Sequence, residues 1–238
     1  MKNFSNAYIF IFSIVMVVIV AAVLSFAAMK LKPFQDKNIE IEKKRNILTS
    51  LNVDSDAENA ESLYSKYIES EIVLDSKGDV IENPKVAPFN IDLKKELAKE
   101  PKDRNLPLFI GKMDDGSVNY VIPVRGKGLW GPIWGYIALK DDIKTVFGVT
   151  FDHSDETPGL GAEISTKKFQ LPFKGKKIYS ETNKFQSIKV VKGGANPSSN
   201  NEVDAISGGT ITSKGLEAML NDCLSNYIPY FEQKMKVQ

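Results

Sequence analysis

Leu106-Pro107-Leu108-Phe109-Ile110-Gly111-Lys112, Val118-Asn119-Tyr120-Val121-Ile122-Pro123-Val124, Trp134-Gly135-Tyr136-Ile137-Ala138-Leu139 and Thr145-Val146-Phe147-Gly148-Val149-Thr150-Phe151 are short runs rich in β-branched and aromatic residues. Glycine-rich or charged turns part them, so each reads as a strand. Phe185 to Val191 and Val203 to Ile206 are later strand candidates. Ahead of the series, Glu71-Ile72-Val73-Leu74, Asp75-Ser76-Lys77-Gly78 and Asp79-Val80-Ile81 read as a hairpin with Gly78 in its turn. After it, Leu216, Met219, Leu220, Cys223, Leu224, Tyr227 and Ile228 follow helical spacing, and Pro229 ends or kinks that helix. Asp36 to Leu51 and Asp54 to Ile68 are two earlier helix candidates, the second with Asp54, Ser55 and Asp56 as possible caps. Strands in a run with helices at the ends predict an α+β fold with a mostly antiparallel sheet and flanking helices.

Tyr8 to Met29 carries no charged residue and is long enough to span a hydrocarbon core of about 30 Å as a helix. A secretory signal peptide is the alternative, with Ser25-Phe26-Ala27 as its cleavage site. The apolar stretch exceeds the usual length of such regions, which favours a retained anchor. Lys2 before the span and Lys30 and Lys32 after it lean slightly toward a cytoplasmic soluble part. The expected division is an N-terminal tail (1–7), a transmembrane helix (8–29), a helical and hairpin connecting region (30–106) and a cofactor-binding domain (107–238).

The totals exclude several chemistries. Net charge is +1, so no basic excess points to nucleic acid. A lone cysteine, Cys223, and a lone histidine, His153, leave no intrachain disulfide, Cys-ligated metal site or multi-histidine metal centre. Cys223 falls on the apolar stripe of the last helix and reads as a buried, inert thiol. Redox chemistry here therefore calls for an organic cofactor or a shared site.

Asp204-Ala205-Ile206-Ser207-Gly208-Gly209-Thr210-Ile211-Thr212-Ser213 runs from a short strand into the last helix. The glycines permit close approach and positive φ, while hydroxyls at a helix start suit an anion such as a phosphate. On the residues alone the plainer reading prevails: a glycine-rich turn whose Ser and Thr cap the helix. Neither Walker spacing nor GxGxxG is present.

This stretch closely resembles the D-x-x-S-G-A-T-x-T-S pattern of FMN-binding domains, with Gly209 where alanine is usual. Arg125-Gly126-Lys127-Gly128-Leu129-Trp130-Gly131 resembles their G-x-G-L-W-G loop. His153-Ser154-Asp155-Glu156-Thr157-Pro158-Gly159-Leu160-Gly161 resembles their H-S-E-T-P-G-L-G loop, with Asp155 inserted. Together with Lys43-Lys44-Arg45-Asn46-Ile47-Leu48, these segments resemble the C subunits of Na+-translocating NADH:quinone oxidoreductases. The sibling G subunits of Rnf-type electron-transport complexes share the flavinylation motif and an N-terminal anchor, and a flavin-free anchored binding module is a third reading.

The resemblance implies a membrane-anchored electron carrier. FMN is joined through a phosphoester to Thr210, placed there from FAD by a Mg-dependent flavin transferase. Ser207, Gly208, Gly209 and Thr212 lie around the attachment point, and Leu129, Trp130, Thr157, Gly159 and Leu160 line the ring, with Glu156 near its edge. Without the family, Trp130 reads as packing, the glycines as turns and His153 as structural. As an electron relay the chain needs no general base and binds no metal. Its partners are the other subunits of an NADH:quinone reductase in a bacterial inner membrane. The resemblance puts the soluble domain on the periplasmic or outer face, against the charge flanks.

Overall fold

The computed structural model describes residues 5–237. Residues 1–4 of the expected N-terminal tail, Lys2 among them, lie outside the described residues. The chain divides into two compact units, one ending at Lys43 and one beginning at Lys44.

The first unit is helical. Helix α1 runs Asn6–Ser50 without a break, so the apolar stretch and the expected 36–51 helix form one element. Every residue of α1 from Asn6 to Glu40 is exposed. Its most apolar 18-residue window has a mean hydropathy of 3.1, long and apolar enough to cross a membrane.

The second unit is built on a meander. Helix α2 (Ala60–Tyr67) leads into β1 (Ile68–Leu74), and α3 (Leu93–Leu97) precedes β2 (Leu106–Lys112). Then follow β3 (Val118–Lys127), β4 (Pro132–Lys140) and β5 (Val146–His153). These strands form one five-stranded sheet in the order β1-β2-β3-β4-β5, antiparallel throughout. Alternate side chains point to opposite faces, and both faces are covered. Ile122 opposite Ile137, with Leu108, Val124 and Phe151, faces one side. Helix α4 (Lys167–Gln170), strands β6 (Lys189–Val191) and β7 (Glu202–Asp204), and helices α5 (Thr210–Ser225) and α6 (Ile228–Val237) complete the chain. Leu216, Met219, Leu220, Cys223 and Leu224 of α5 join the first face's core. Phe109, Val121, Tyr136 and Ala138 face the other side and bury Ile47, Leu48 and Leu51.

Several elements depart from their expected bounds. The 71–81 hairpin forms, with Gly78 at φ +83° in its turn, Ile81 N–H donating to Val73 O at 2.9 Å and Leu74 bridged to Val80, but its second arm stays short while β1 pairs along its other edge with β2. The 54–68 helix shrinks to α2. Asp56 forms a tight turn, its carboxylate accepting from the N–H groups of Glu58 and Asn59, rather than capping a helix. Ile68 already belongs to β1. The last helix stops at Ser225, and Pro229 sits in the first turn of α6, where its missing N–H costs nothing. The later strands shorten and pair with each other in parallel.

Candidate functional site

Three segments meet at one edge of the sheet because their elements are neighbours. Strands β3 and β4 are joined by the turn Gly128–Gly131, closed by Gly128 N–H donating to Gly131 O at 2.8 Å. On β5, His153 lies opposite Ile133, so the loop that follows emerges beside this turn. Ser154 N–H donates to Pro132 O at 3.1 Å, and a Cβ built on Gly131 would meet Asp155 Oδ2 at 2.9 Å. Helix α5 supplies the third segment. It lies so close to β3 that a Cβ on Gly215 would run into the carbonyl of Lys127.

Glu156 joins all three. It is 4% exposed. One carboxylate oxygen accepts from Trp130 N–H at 2.9 Å and the other from Thr212 Oγ1 at 2.5 Å. Burial works against its charged form, but the Thr212 hydroxyl and the N–H groups of Trp130, Gly131 and Leu129 outweigh it and hold the carboxyl below its usual range. Two glycines of the loop motifs make room for this group. A Cβ on Gly128 would fall on Glu156 Oε1, and one on Gly161 on Glu156 Oε2 and Thr212 Oγ1. Sequence reading places Glu156 near a ring edge and assigns the loop glycines to close approach of a ligand. In the structure the carboxylate lies under the loops, and it is what Gly128 and Gly161 approach.

The hydroxyls at the start of α5 sort themselves by burial. Thr212 and Ser213 are each 1% exposed. The sequence suits both to capping, yet neither caps: Thr212 donates to Glu156, and Ser213 Oγ accepts from Ile206 N–H at 3.1 Å. Gly209, with φ −103°, occupies the N-cap position and has no side chain to offer. Thr210 is the first helical residue and is half-buried, and among the described residues no hydrogen bond uses its hydroxyl. Ser207 is exposed on the turn before it. Helix geometry leaves the N–H groups of Thr210, Ile211 and Thr212 without an i−4 carbonyl, which makes this end attractive to an anion. Asp204, the first residue of the motif, accepts from Ala195 N–H at 2.6 Å and ties the 192–196 loop to β7.

Around this end lies an apolar surface. Leu129 is 45% exposed, Trp130 67% and Leu160 41%. Ile211, which sequence reading leaves out, is 58% exposed and adds to it. Thr157 and Gly159 are exposed on the turn between them, Gly159 at φ +76°. Leu160 reaches the 204–213 segment, since a Cβ on Gly208 would meet its Cδ2 at 2.6 Å. Exposed large apolar side chains in one place mark a surface that something covers. The ring of a flavin and its phosphate fit: flat apolar cover beside a helix start and an unengaged hydroxyl. His153 has a structural task, Nδ1 accepting from Glu156 N–H at 3.3 Å. Among the described residues no cluster of His, Cys, Asp or Glu is arranged to hold a metal.

Known proteins resemble this chain over most of its length. The FMN-binding domain family matches residues 128–225, a range that includes all three segments. The C subunit of the Na(+)-translocating NADH-quinone reductase of Vibrio vulnificus is 31% identical over 208 residues, covering 82% of this chain and 81% of that protein. The corresponding Haemophilus ducreyi protein is 32% identical over 212 residues, covering 84% and 82%. The crystal structure of the Parabacteroides distasonis C subunit superposes with a TM-score of 0.77 at 39% identity, over 84% of this chain and 96% of that one. With this extent of identity and shared fold, the chain belongs to the family of Na(+)-translocating NADH-quinone reductase C subunits.

Proposed function

We propose that this chain is the membrane-anchored, FMN-carrying electron-transfer subunit of a sodium-pumping NADH:quinone reductase, with FMN held as a phosphoester on Thr210. The observation that carries the attachment site is the sorting of hydroxyls. Thr212 and Ser213 are buried and already hydrogen-bonded, whereas Thr210 is accessible at the helix start. Of the competitors, Ser207 lies before the glycine pair, away from the helix N–H groups that favour a phosphate.

When bound, the flavin supplies the redox chemistry; the chain supplies its placement. Leu129, Trp130, Leu160 and Ile211 offer apolar cover to the ring, with Thr157 and Gly159 on the turn beside it. Gly208 and Gly209 let the backbone pass close to Thr210 without a side chain in the way. No residue of the chain has to move a proton, and the flavin-binding part lies within 107–238. The exposed apolar stretch of α1, Tyr8 to Met29, anchors the chain in a bacterial inner membrane with the globular part outside the cytoplasm. A flavin transferase installs the group, and other subunits deliver and remove the electrons.

Peptide mass spectrometry of protein made together with the transferase tests the reading. Wild type and Thr212→Ala should carry flavin on the peptide containing Thr210, and Thr210→Ala should carry none. Flavin on Ser207 or Ser213 in the wild type, or persisting in Thr210→Ala, would overturn the assignment.

A further inference from the structure

The buried carboxylate of Glu156 has more partners than turn-making requires. It takes hydrogen bonds from the turn after β3, through Trp130 N–H, and from the first turn of α5, through Thr212 Oγ1. The residue's own N–H donates to His153 Nδ1 at the end of β5. Two glycines are hollowed out around its oxygens, and a Cβ on either would displace it. Such a displacement has nowhere easy to go, because the carboxylate is fixed by donors on two separate elements. The side chains that face outward from these same elements are Leu129, Trp130, Leu160 and Ile211, all substantially exposed.

We propose that Glu156 is a positioning residue for the flavin: its carboxylate clasps the Leu129–Trp130 turn and the 156–161 loop to the first turn of α5, so that ring cover and attachment hydroxyl are held as one unit. This rests on the function proposed above. A phosphoester on Thr210 by itself fixes only one end of a long, freely jointed group. The ring end is fixed only if the apolar cover keeps a set distance from Thr210. That distance is bridged by two direct hydrogen bonds, from Trp130 N–H and from the Thr212 hydroxyl to the Glu156 carboxylate. A methionine at 156 keeps much of the volume and removes both acceptor oxygens, whereas a glutamine that accepts from Trp130 N–H and donates to the Thr212 hydroxyl keeps the linkage. A valine at 212 keeps the shape of threonine and removes only the donor.

The test uses Glu156→Met and Thr212→Val in the full chain, each made with and without the transferase. Mass spectrometry should find flavin on Thr210 in both variants. Steady-state anisotropy of the flavin emission should fall, and the emission should rise as quenching by Trp130 is lost. Without flavin, amide exchange at Leu129, Trp130 and Gly131 should quicken while the rest of the sheet keeps its protection. The double variant should show no more than the larger single effect, because both changes cut one linkage. Wild-type anisotropy, emission and exchange in folded variants would overturn the proposal. So would a folded Glu156→Met that is never flavinylated, because a clasp acts on a flavin already attached. If Glu156→Met does not fold, Thr212→Val decides alone. A wild type without covalent flavin would sink the proposed function instead, and the exchange experiment would still read the clasp.

Discussion

Gly215→Ala sets two opposed effects against each other, and their sizes predict the sign. Gly215 lies inside α5, where glycine costs about 1 kcal/mol relative to alanine through backbone entropy. On a free helix the substitution would therefore stabilise. Here the new Cβ would overlap the carbonyl oxygen of Lys127 and stand 3.2 Å from its carbon and 3.5 Å from Gly128 Cα. An ordinary contact between carbon atoms needs about 3.5–4.0 Å, so α5 or the end of β3 must retreat. The clash is with backbone, which cannot rotate away, and overpacking of this kind costs about 1–3 kcal/mol. Retreat also loosens Leu216 and Met219, whose side chains sit in the main core on either side of the contact. The net expectation is a loss of up to about 2 kcal/mol, or a melting temperature lower by up to about 8 °C for a unit of this size. Thermal unfolding of the detergent-solubilised chain, followed by circular dichroism, measures it. A variant more stable than the wild type would refute the claim that α5 and β3 are in backbone contact at this point.

Other outcomes follow from the titratable groups. The buried Glu156 and the exposed Asp142 both have carboxyls held below their usual range although desolvation opposes it, Glu156 by Thr212 and the 129–131 N–H groups and Asp142 by Thr145 and the N–H groups of Lys144 and Thr145. Their contribution is complete above the unfolded carboxylate pKa of about 4 and is lost as pH falls through the lower folded values. The urea midpoint should therefore drop on acidification below about pH 4, and less steeply in Glu156→Gln; equal slopes would count against the Glu156 hydrogen bonds. Burial pushes the Cys223 thiol up to about 11 from 9.0. At pH 8 its thiolate fraction is then about a hundredfold below that of the unfolded chain, so iodoacetamide should label it slowly until urea is added; rapid labelling of the folded protein would contradict its burial.

Much of the sheet was legible because its strands carry their own signals. Leu106–Lys112 stands where its composition put it, and β3, β4 and β5 differ from expectation only at their ends, where pairing across a tight turn extends them. Pairing itself was less legible. The hairpin from Leu74 to Val80 is local and legible, but nothing in Ile68–Leu74 says that its longer ladder is with a strand beyond the 75–105 excursion. The parallel pairing of β6 with β7 is hidden for the same reason. At the site, the three glycine-bearing segments could be named from resemblance, and the structure brings them to one edge. The residues alone could not separate a flavin loop from a capped helix start. Glu156 was the hardest to read, since its donors come from Trp130 and Thr212, which are remote in the chain. A buried acid is recognisable only once its donors are seen around it.

The order of the strands has a consequence for how the molecule comes into being. Spatial order and chain order coincide from β1 to β5, so every pairing in the sheet is made with the next strand along. From β2 to β5 these are short-range closures, the quickest to form, whereas β1 must close over the 75–105 excursion. The carboxylate bridge reaches furthest at Thr212, whose hydrogen bond spans 56 residues. That bond waits until α5 has crossed back over β3. The meander is therefore expected to assemble early, with the loops at its edge unclosed, and the docking of α5 to complete sheet cover and loop edge in one late step. A chain stalled before that step would show a protected sheet and an unprotected 129–131 turn.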